Sequence, residues 1–353
     1  MVKKSMDKFE QITQNAIEVV TAEELKQVLQ KDHPKGYIGF EPSGTVHIGW
    51  KICTNKINDF ILSGFEFKVL LADWHAYIND KLQGDIDKIK LCGTYMEDCF
   101  AAMGIPKDKV DFIYASEYVG DPEYWELVLR TSKSTSVARV KRAMDIMGRD
   151  ENEAERDLSK LFYPTMQVSD IFYLDVDVAY GGMDQRHAHM LARDVAKKIH
   201  KKPPVAIHTP LLTGLQAGSR MDPLEVKMSK SKPDSMISIH DTVDEVNRKL
   251  KKAYCPEKIV EGNPVLEMCK FVIFPELKGD IFRIERPEKF GGNLEFESYE
   301  ALEHVFVEGA LHPLDLKITT ATYLNTILEP VRGYFEKYPD AYEKMKELGI
   351  ITR

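Results

Sequence analysis

Gly36-Tyr37-Ile38-Gly39-Phe40-Glu41-Pro42-Ser43-Gly44-Thr45-Val46-His47-Ile48-Gly49 is the stretch that decides the fold. Its first five residues read as a short strand, Pro42-Ser43-Gly44 breaks that strand, and from His47 the pattern turns helical through Ile61. Outward from this unit the alternation repeats. Phe67-Lys68-Val69-Leu70-Leu71-Ala72 is a near-continuous apolar run, as a strand buried on both faces requires. A helix over 86–103, a strand over 110–114 and further helices follow. Val176-Asp177-Val178-Ala179-Tyr180, closed by Gly181-Gly182, is a fourth strand. Strands alternating with helices imply right-handed crossovers and a parallel, Rossmann-like α/β sheet. Ligands of such sheets sit beyond the carboxyl ends of the strands. Tyr37 to His47, Asp73 to His75, and Gly181 to Gln185 all fall there.

Residues 8–30 read as one or two short helices, with Thr21-Ala22-Glu23-Glu24 as N-cap and first turn. After Tyr254 the texture changes: Pro256, Gly262-Asn263-Pro264 and Pro275 punctuate shorter elements, and 312–337 form a long helix opened by His312-Pro313. The chain therefore divides into an N-terminal helical segment (1–30), an α/β domain (31–255) and a smaller, mostly helical domain (256–353). A last short helix is expected over 340–348.

At 353 residues the chain can bury a large core, and a net charge of −8 gives no general sign of nucleic-acid binding. Locally the balance reverses, because Arg130, Lys133, Arg139, Lys141, Arg142 and Arg149 face one acid, Asp145, before an acidic run begins. That stretch is either a solvated helix face or a phosphate-contacting one. No apolar segment approaches a membrane span, and the N-terminus lacks the apolar core of a signal peptide. Cys53, Cys92, Cys99, Cys255 and Cys269 are odd in number and contain no Cys-x-x-Cys pair, which argues against a disulfide framework or structural zinc. A protein of the reducing cytoplasm is expected.

Two strings carry nucleotide chemistry. The turn from Pro42 to Gly49 puts an imidazole, His47, at the mouth of a helix, where unpaired N–H groups and the dipole favour phosphate. Gly49, without a side chain, lets an adenine ring approach the backbone. His-x-Gly alone is a weak signal. Far downstream, Lys227-Met228-Ser229-Lys230-Ser231 follows a poorly patterned, Gly-containing stretch and reads as a loop that brings ammonium groups to a substrate. In adenylation, negative charge builds on the α-phosphorus and on departing pyrophosphate, and such cations stabilise that state more than the ground state. A third constellation is Tyr163-Pro164-Thr165-Met166-Gln167-Val168-Ser169-Asp170, whose helical spacing puts Tyr163, Gln167 and Asp170 on one face. Phenol, amide and carboxylate together are too polar for plain core packing. Gln185, after the Gly181-Gly182 turn, adds a second amide.

These motifs in this order, with Tyr37 and Leu70-Leu71-Ala72-Asp73-Trp74-His75-Ala76-Tyr77, resemble the tyrosyl-tRNA synthetases of archaeal and eukaryotic type, a branch of the class I aminoacyl-tRNA synthetases. The resemblance covers about residues 7–337. It implies ATP-dependent attachment of L-tyrosine to its tRNA through tyrosyl-adenylate, with MgATP as substrate; the sequence itself offers no dedicated metal cluster. Gly44, His47, Gly49, Lys227, Met228, Ser229, Lys230 and Ser231 would hold ATP, with His47, Lys227 and Lys230 catalytic. Tyr37 and Asp170 would bond the substrate's phenolic hydroxyl. Tyr163, Gln167 and Gln185 would hold its α-ammonium and orient the carboxylate, with Leu70 and His75 walling the ring. Arg186 would meet the acceptor end of the tRNA. Phe290 would stack on the first anticodon base, supported by His312, and Asp315 would accept from a guanine edge. The family is dimeric, through the insertion at about 115–160. Trp50 departs from the family pattern, which usually has a second histidine or another aromatic there. A tryptophanyl-tRNA synthetase, a catalytically silent RNA-binding relative and a small-molecule nucleotidyltransferase are the alternatives.

Overall fold

The structure, a computed structural model, describes residues 6–144, 157–216 and 233–351. The chain packs into two units, Met1–Gly44 with Lys56–Pro210, and Thr45–Asn55 with Leu211–Arg353.

The first unit is built on a six-stranded sheet: β1 (Glu18–Val20), β2 (Lys35–Phe40), β3 (Glu66–Leu71), β4 (Val110–Tyr114), β5 (Val178–Gly182) and β6 (Val205–Thr209). Their spatial order is β1-β6-β5-β2-β3-β4. The four strands read from the sequence lie side by side and parallel, with β4 at one edge of the sheet, as the alternation demands. From β2 the chain winds one way through β3 to β4, and from β5 it winds the other way to β6. The order therefore reverses between β2 and β5, and a crevice at such a switch point is where an open α/β sheet binds ligands. β3 is buried at Phe67 and from Val69 to Leu71, which accounts for its near-continuous apolar run.

Two strands escaped the sequence reading. Residues 8–30 are not all helical: between the helices Lys8–Thr13 and Ala22–Val28 runs β1, which pairs antiparallel with β6. Three residues cannot establish an alternating pattern, and Glu18 in place of an apolar residue hides it further. β6 was concealed because its last two residues, His208 and Thr209, are polar yet fully buried. Both expected capping residues do hold; Thr21 and Glu24 exchange hydrogen bonds in a capping box.

The helix Lys8–Thr13 ends on a buried ammonium. Lys56 Nζ donates to the carbonyls of Ile12 (2.9 Å) and Gln14 (2.6 Å) and pairs with Asp59 Oδ2 at 3.0 Å. Burial pushes the Lys56 pKa down, and the Asp59 charge opposes that.

In the second unit, the helix Val243–Lys252 lies along the long helix Pro313–Lys337. That packing joins residues 211–255 to the C-terminal part, so the packing boundary lies earlier in the chain than the division read at residue 255. A second buried pair stabilises it: Lys249 Nζ stands 2.6 Å from Asp241 Oδ2 and donates to Met236 O. The unit is mostly helical but includes a two-stranded hairpin, β7 (Phe282–Ile284) and β8 (Leu294–Phe296), which the sequence reading did not separate. The last helix is Asp340–Glu347.

Lys56→Ala strands the Ile12 and Gln14 carbonyls and the Asp59 carboxylate. Thermal or urea unfolding is expected to show a loss of about 3–5 kcal/mol. Lys35→Ala, which breaks the exposed pair with Asp175, should cost under about 1 kcal/mol.

Candidate active site

The first unit carries the candidate pocket. Its elements each deliver one or two side chains at the carboxyl side of the sheet: Tyr37 from β2, Leu70 from β3, His75 from the helix Asp73–Ile78, and Gln185 from the turn after β5. The helix Ser159–Tyr173 delivers Tyr163, Gln167 and Asp170 from the single face that their spacing predicts. Tyr37, Leu70, His75, Tyr163 and Asp170 are all buried. Gln167 Nε2 donates to Gln185 Oε1 at 2.9 Å, so two amides far apart in the chain meet. The His75 and Tyr163 rings meet edge to face, 5.0 Å between centroids.

Asp170 organises this pocket. Its Oδ1 accepts from Tyr118 Oη at 2.8 Å and from Tyr124 Oη at 2.9 Å. Its Oδ2 lies 3.1 Å from His75 Nε2, but off the direction of a hydrogen bond. Asp170 Oδ2, both His75 nitrogens and Gln167 Oε1 are thus buried with no hydrogen-bond partner. Native interiors rarely leave such atoms bare, and clusters of them mark places where a ligand supplies the bonds.

The electrostatics follow from burial and from that one carboxylate. Burial works against the charged form of His75, yet the Asp170 carboxylate, aided by Glu41 and Asp73, outweighs it and raises the imidazole above its usual value. Burial first, then the Asp170 charge, pushes the Tyr37 phenol up, with the Gln167 amide opposing weakly. Tyr163 is raised by burial and then by the Glu41 carboxylate. These phenols remain donors across the physiological range.

Three pocket residues were not read from the sequence. Glu41 follows β2, accepts from Asn79 Nδ2 at 2.8 Å and holds Tyr163. Tyr118 and Tyr124 lie in the segment assigned to subunit contact, and a tyrosine among fifteen carries no local signal. Only Glu41, next to the motif turn, could have been suspected.

Gly44 closes the turn of the first unit with a φ of 111°, a left-handed conformation that favours glycine. Its N–H points at Cys92 Sγ, 3.2 Å away.

The second unit holds the other half of the motif. The helix starts at Trp50, so His47 lies just outside it and not in its first turn as expected. The reason is a bridge to Ser238: Ile48 N donates to Ile237 O at 2.8 Å and Ile239 N to Val46 O at 3.2 Å. His47 Nδ1 accepts from Gly49 N at 3.1 Å. A Cβ on Gly49 would stand 2.8 Å from the His47 ring, so this glycine makes room for the imidazole itself. Trp50 is buried. Lys227, Met228, Ser229, Lys230 and Ser231 lie outside the described residues.

Phe290 is 59% exposed at the tip of the β7–β8 hairpin, with Lys289 Nζ 4.9 Å from its ring centre. Gly291 and Gly292, both with positive φ, make the turn behind it. His312 is the N-cap of the long helix, Nδ1 accepting from Leu314 N, and Asp315 sits in the first turn. Arg286, which the sequence reading passed over, donates to Gly292 O (2.6 Å) and Ala310 O (2.9 Å) and so ties the hairpin to the His312 turn.

Arg186 opens the helix Arg186–Ala196, and its Nε donates to Glu18 at 2.9 and 2.8 Å. Glu18 also holds His208 at 2.8 Å, and His208 meets His189 at 3.0 Å. Burial, then His208, pushes His189 down to about 3. Of the basic stretch, Arg139 pairs with Asp194 and Arg130 donates to Ile199 O.

A fold of this topology is shared by known proteins. The family of tRNA synthetases class I (W and Y) matches residues 29–329, and the chain belongs to it. Within that family it belongs with the tyrosine–tRNA ligases. It is 53% identical to the tyrosine–tRNA ligase of Sulfolobus acidocaldarius, covering 92% of this chain and 93% of that one. The tyrosyl-tRNA synthetase structure from Aeropyrum pernix superposes with a TM-score of 0.87 at 46% identity, over 97% of this chain and 98% of that one. The L-tyrosine complex from Pyrococcus horikoshii gives 0.89 at 42% identity, over 97% and 100%. The tryptophanyl-tRNA synthetase of Aeropyrum pernix, at 20% identity and a TM-score of 0.69, shares the fold alone.

His75 should titrate above the free-imidazole value of about 6.5 by NMR and fall in Asp170→Asn, where only Glu41 and Asp73 are left to oppose burial. A raised folded-state pKa stabilises fully at pH below the unfolded value and fades as pH rises through the raised one. The destabilisation by Asp170→Asn should therefore be larger at pH 6 than at pH 9.

Proposed function

We propose that the chain joins L-tyrosine to its cognate tRNA in two steps, with Tyr37 and Asp170 selecting the amino acid by its phenolic hydroxyl. The tyrosine carboxylate attacks the α-phosphorus of MgATP, giving tyrosyl-adenylate and releasing pyrophosphate. A terminal ribose hydroxyl of the tRNA then attacks the acyl carbonyl, and AMP leaves. No side-chain nucleophile is required; positioning and electrostatics carry the rate.

One observation carries the selectivity: Asp170 Oδ2 is buried with no hydrogen-bond partner, and its charge acts on Tyr37. A phenol donating to that oxygen satisfies it, whereas phenylalanine leaves a bare carboxylate oxygen in the interior. Tyrosyl-tRNA synthetases are themselves the standing example of this effect, at about 10⁵-fold, so that figure is borrowed. Tyr163, Gln167 and Gln185 hold the α-ammonium and orient the carboxylate, an assignment supported by the Gln167–Gln185 bond and by Glu41 behind Tyr163. Leu70 and His75 wall the ring. Gly44, His47, Gly49 and the segment from Lys227 to Ser231 hold the nucleotide, with Lys227 and Lys230 stabilising the departing pyrophosphate. Mg²⁺ enters with ATP as substrate.

The division of labour follows the sequence: activation in the α/β domain, anticodon reading in the C-terminal domain. Exposure of Phe290, its backing by Lys289, and the Arg286 tie to the His312 turn support a stacking platform for the first anticodon base. Asp315 reads a guanine edge, and Arg186 meets the acceptor end once it leaves Glu18. The protein acts in the cytoplasm as a homodimer. Exposed Trp125, Leu129 and Val137, on and beside the helix Pro122–Lys133, support an apolar subunit contact there. Among the described residues no helix is long and apolar enough to cross a membrane, and none of the five cysteines forms a disulfide.

Exchange of labelled pyrophosphate into ATP should occur with tyrosine and not with phenylalanine or tryptophan. Exchange with tryptophan would overturn the pocket reading. The Lys227→Ala, Lys230→Ala double variant should lose about 10²-fold or more in exchange while still binding tRNA.

A further inference from the structure

Tyr118 and Tyr124 are buried in a cluster of aromatic rings. Their centroids lie 5.0 Å apart, and Tyr173 stands 5.0 Å from the first and 5.5 Å from the second. Packing alone would be served as well by phenylalanine, since a buried hydroxyl costs free energy unless it is bonded. Both hydroxyls are bonded, and to the same atom, Asp170 Oδ1. The terminal torsion of an aspartate is broad and roughly two-fold, so a carboxylate with nothing to hold it can exchange its oxygens. Two donors converging on one oxygen remove that freedom. They also leave the second oxygen, Oδ2, buried and without a hydrogen bond.

We propose that Tyr118 and Tyr124 are positioning and specificity-determining residues: their hydroxyls clamp Asp170 through Oδ1 and so present Oδ2 alone to the substrate's phenolic hydroxyl. This rests on Asp170 being the group that reads that hydroxyl. The clamp does two things. It aims the acceptor before substrate arrives, so no rotation is frozen on binding. It also leaves Oδ2 with only the His75 imidazole beside it, 3.1 Å away and off the direction of a hydrogen bond, because both phenols are already spent. Phenylalanine then finds no conformation in which the carboxylate can turn away and satisfy itself.

The clamp has its own support. Tyr118 follows the short helical turn Ala115–Glu117 at the end of β4, and Tyr124 lies in the first turn of the helix Pro122–Lys133. Asp121 caps that helix by accepting from Glu123 N at 2.9 Å. Its other oxygen accepts from Tyr173 Oη at 2.7 Å. Tyr173 ends the helix that carries Asp170, so cap, clamp and carboxylate form one connected set.

Tyr118→Phe and Tyr124→Phe keep the rings and remove one hydroxyl each. In pyrophosphate exchange each should raise KM for tyrosine and lower the tyrosine-to-phenylalanine ratio of kcat/KM by about 10-fold, with KM for ATP unchanged. The double variant should lower the ratio further. Loss of thermal stability with an unchanged ratio would make the phenols packing residues and overturn the proposal. Asp170→Asn separates the two levels. If it collapses the ratio while the tyrosine variants do not, only the clamp falls; if it leaves the ratio intact, the reading of Asp170 falls and takes the clamp with it. Should Tyr124→Phe fail to fold, Tyr118→Phe alone decides.

Discussion

A single buried carboxylate sets the terms for the pocket. Asp170 is fully removed from solvent, where an isolated charge costs several kcal/mol. The fold offsets that cost unevenly, with two phenols on one oxygen and an imidazole near the other. In the proposed reading that asymmetry is what serves function. A carboxylate satisfied on both sides would be inert, and one satisfied on neither would protonate or draw in water. Satisfied on one side, it remains in need of a donor of defined position.

The sheet explains why these groups can meet. Reversal of strand order between β2 and β5 opens a crevice at the carboxyl ends, and each flanking strand leads straight into a pocket residue. Tyr37 and Leu70 are held by sheet hydrogen bonds, and Tyr163 and Asp170 by a helix buried along most of its length. Side chains on such elements keep their geometry better than side chains on loops. The second unit uses the same device in miniature. There the buried Lys249–Asp241 pair anchors the segment whose residues 237–239 bond the backbone around His47.

Much of the site was legible because its chemistry is local in sequence. Tyr163, Gln167 and Asp170 announce one polar helix face by spacing alone, and the parallel core follows from alternating apolar runs and helices. What could not be read had a common cause, namely pairing between residues far apart. β1 is three residues long and exists as a strand only because β6 lies beside it. β6 ends in His208 and Thr209, whose burial makes sense only with Glu18, His189 and Tyr180 in place. The helix after His47 starts three residues late because Ser238 claims the intervening backbone.

By itself the sequence determined the α/β class, the family, and the residue types available to bind a phenol, an ammonium and a phosphate. These depend on periodicity and on short motifs, which the chain carries without folding. Only the tertiary structure decided which oxygen of Asp170 is spent, that Tyr118 and Tyr124 spend it, and that Glu41 stands behind Tyr163. Hydrogen bonds at 2.8 and 2.9 Å join residues 52 and 46 positions apart. No local pattern encodes such a contact, because it is the packing of β4, its following helix and the Asp170 helix that brings the atoms within range.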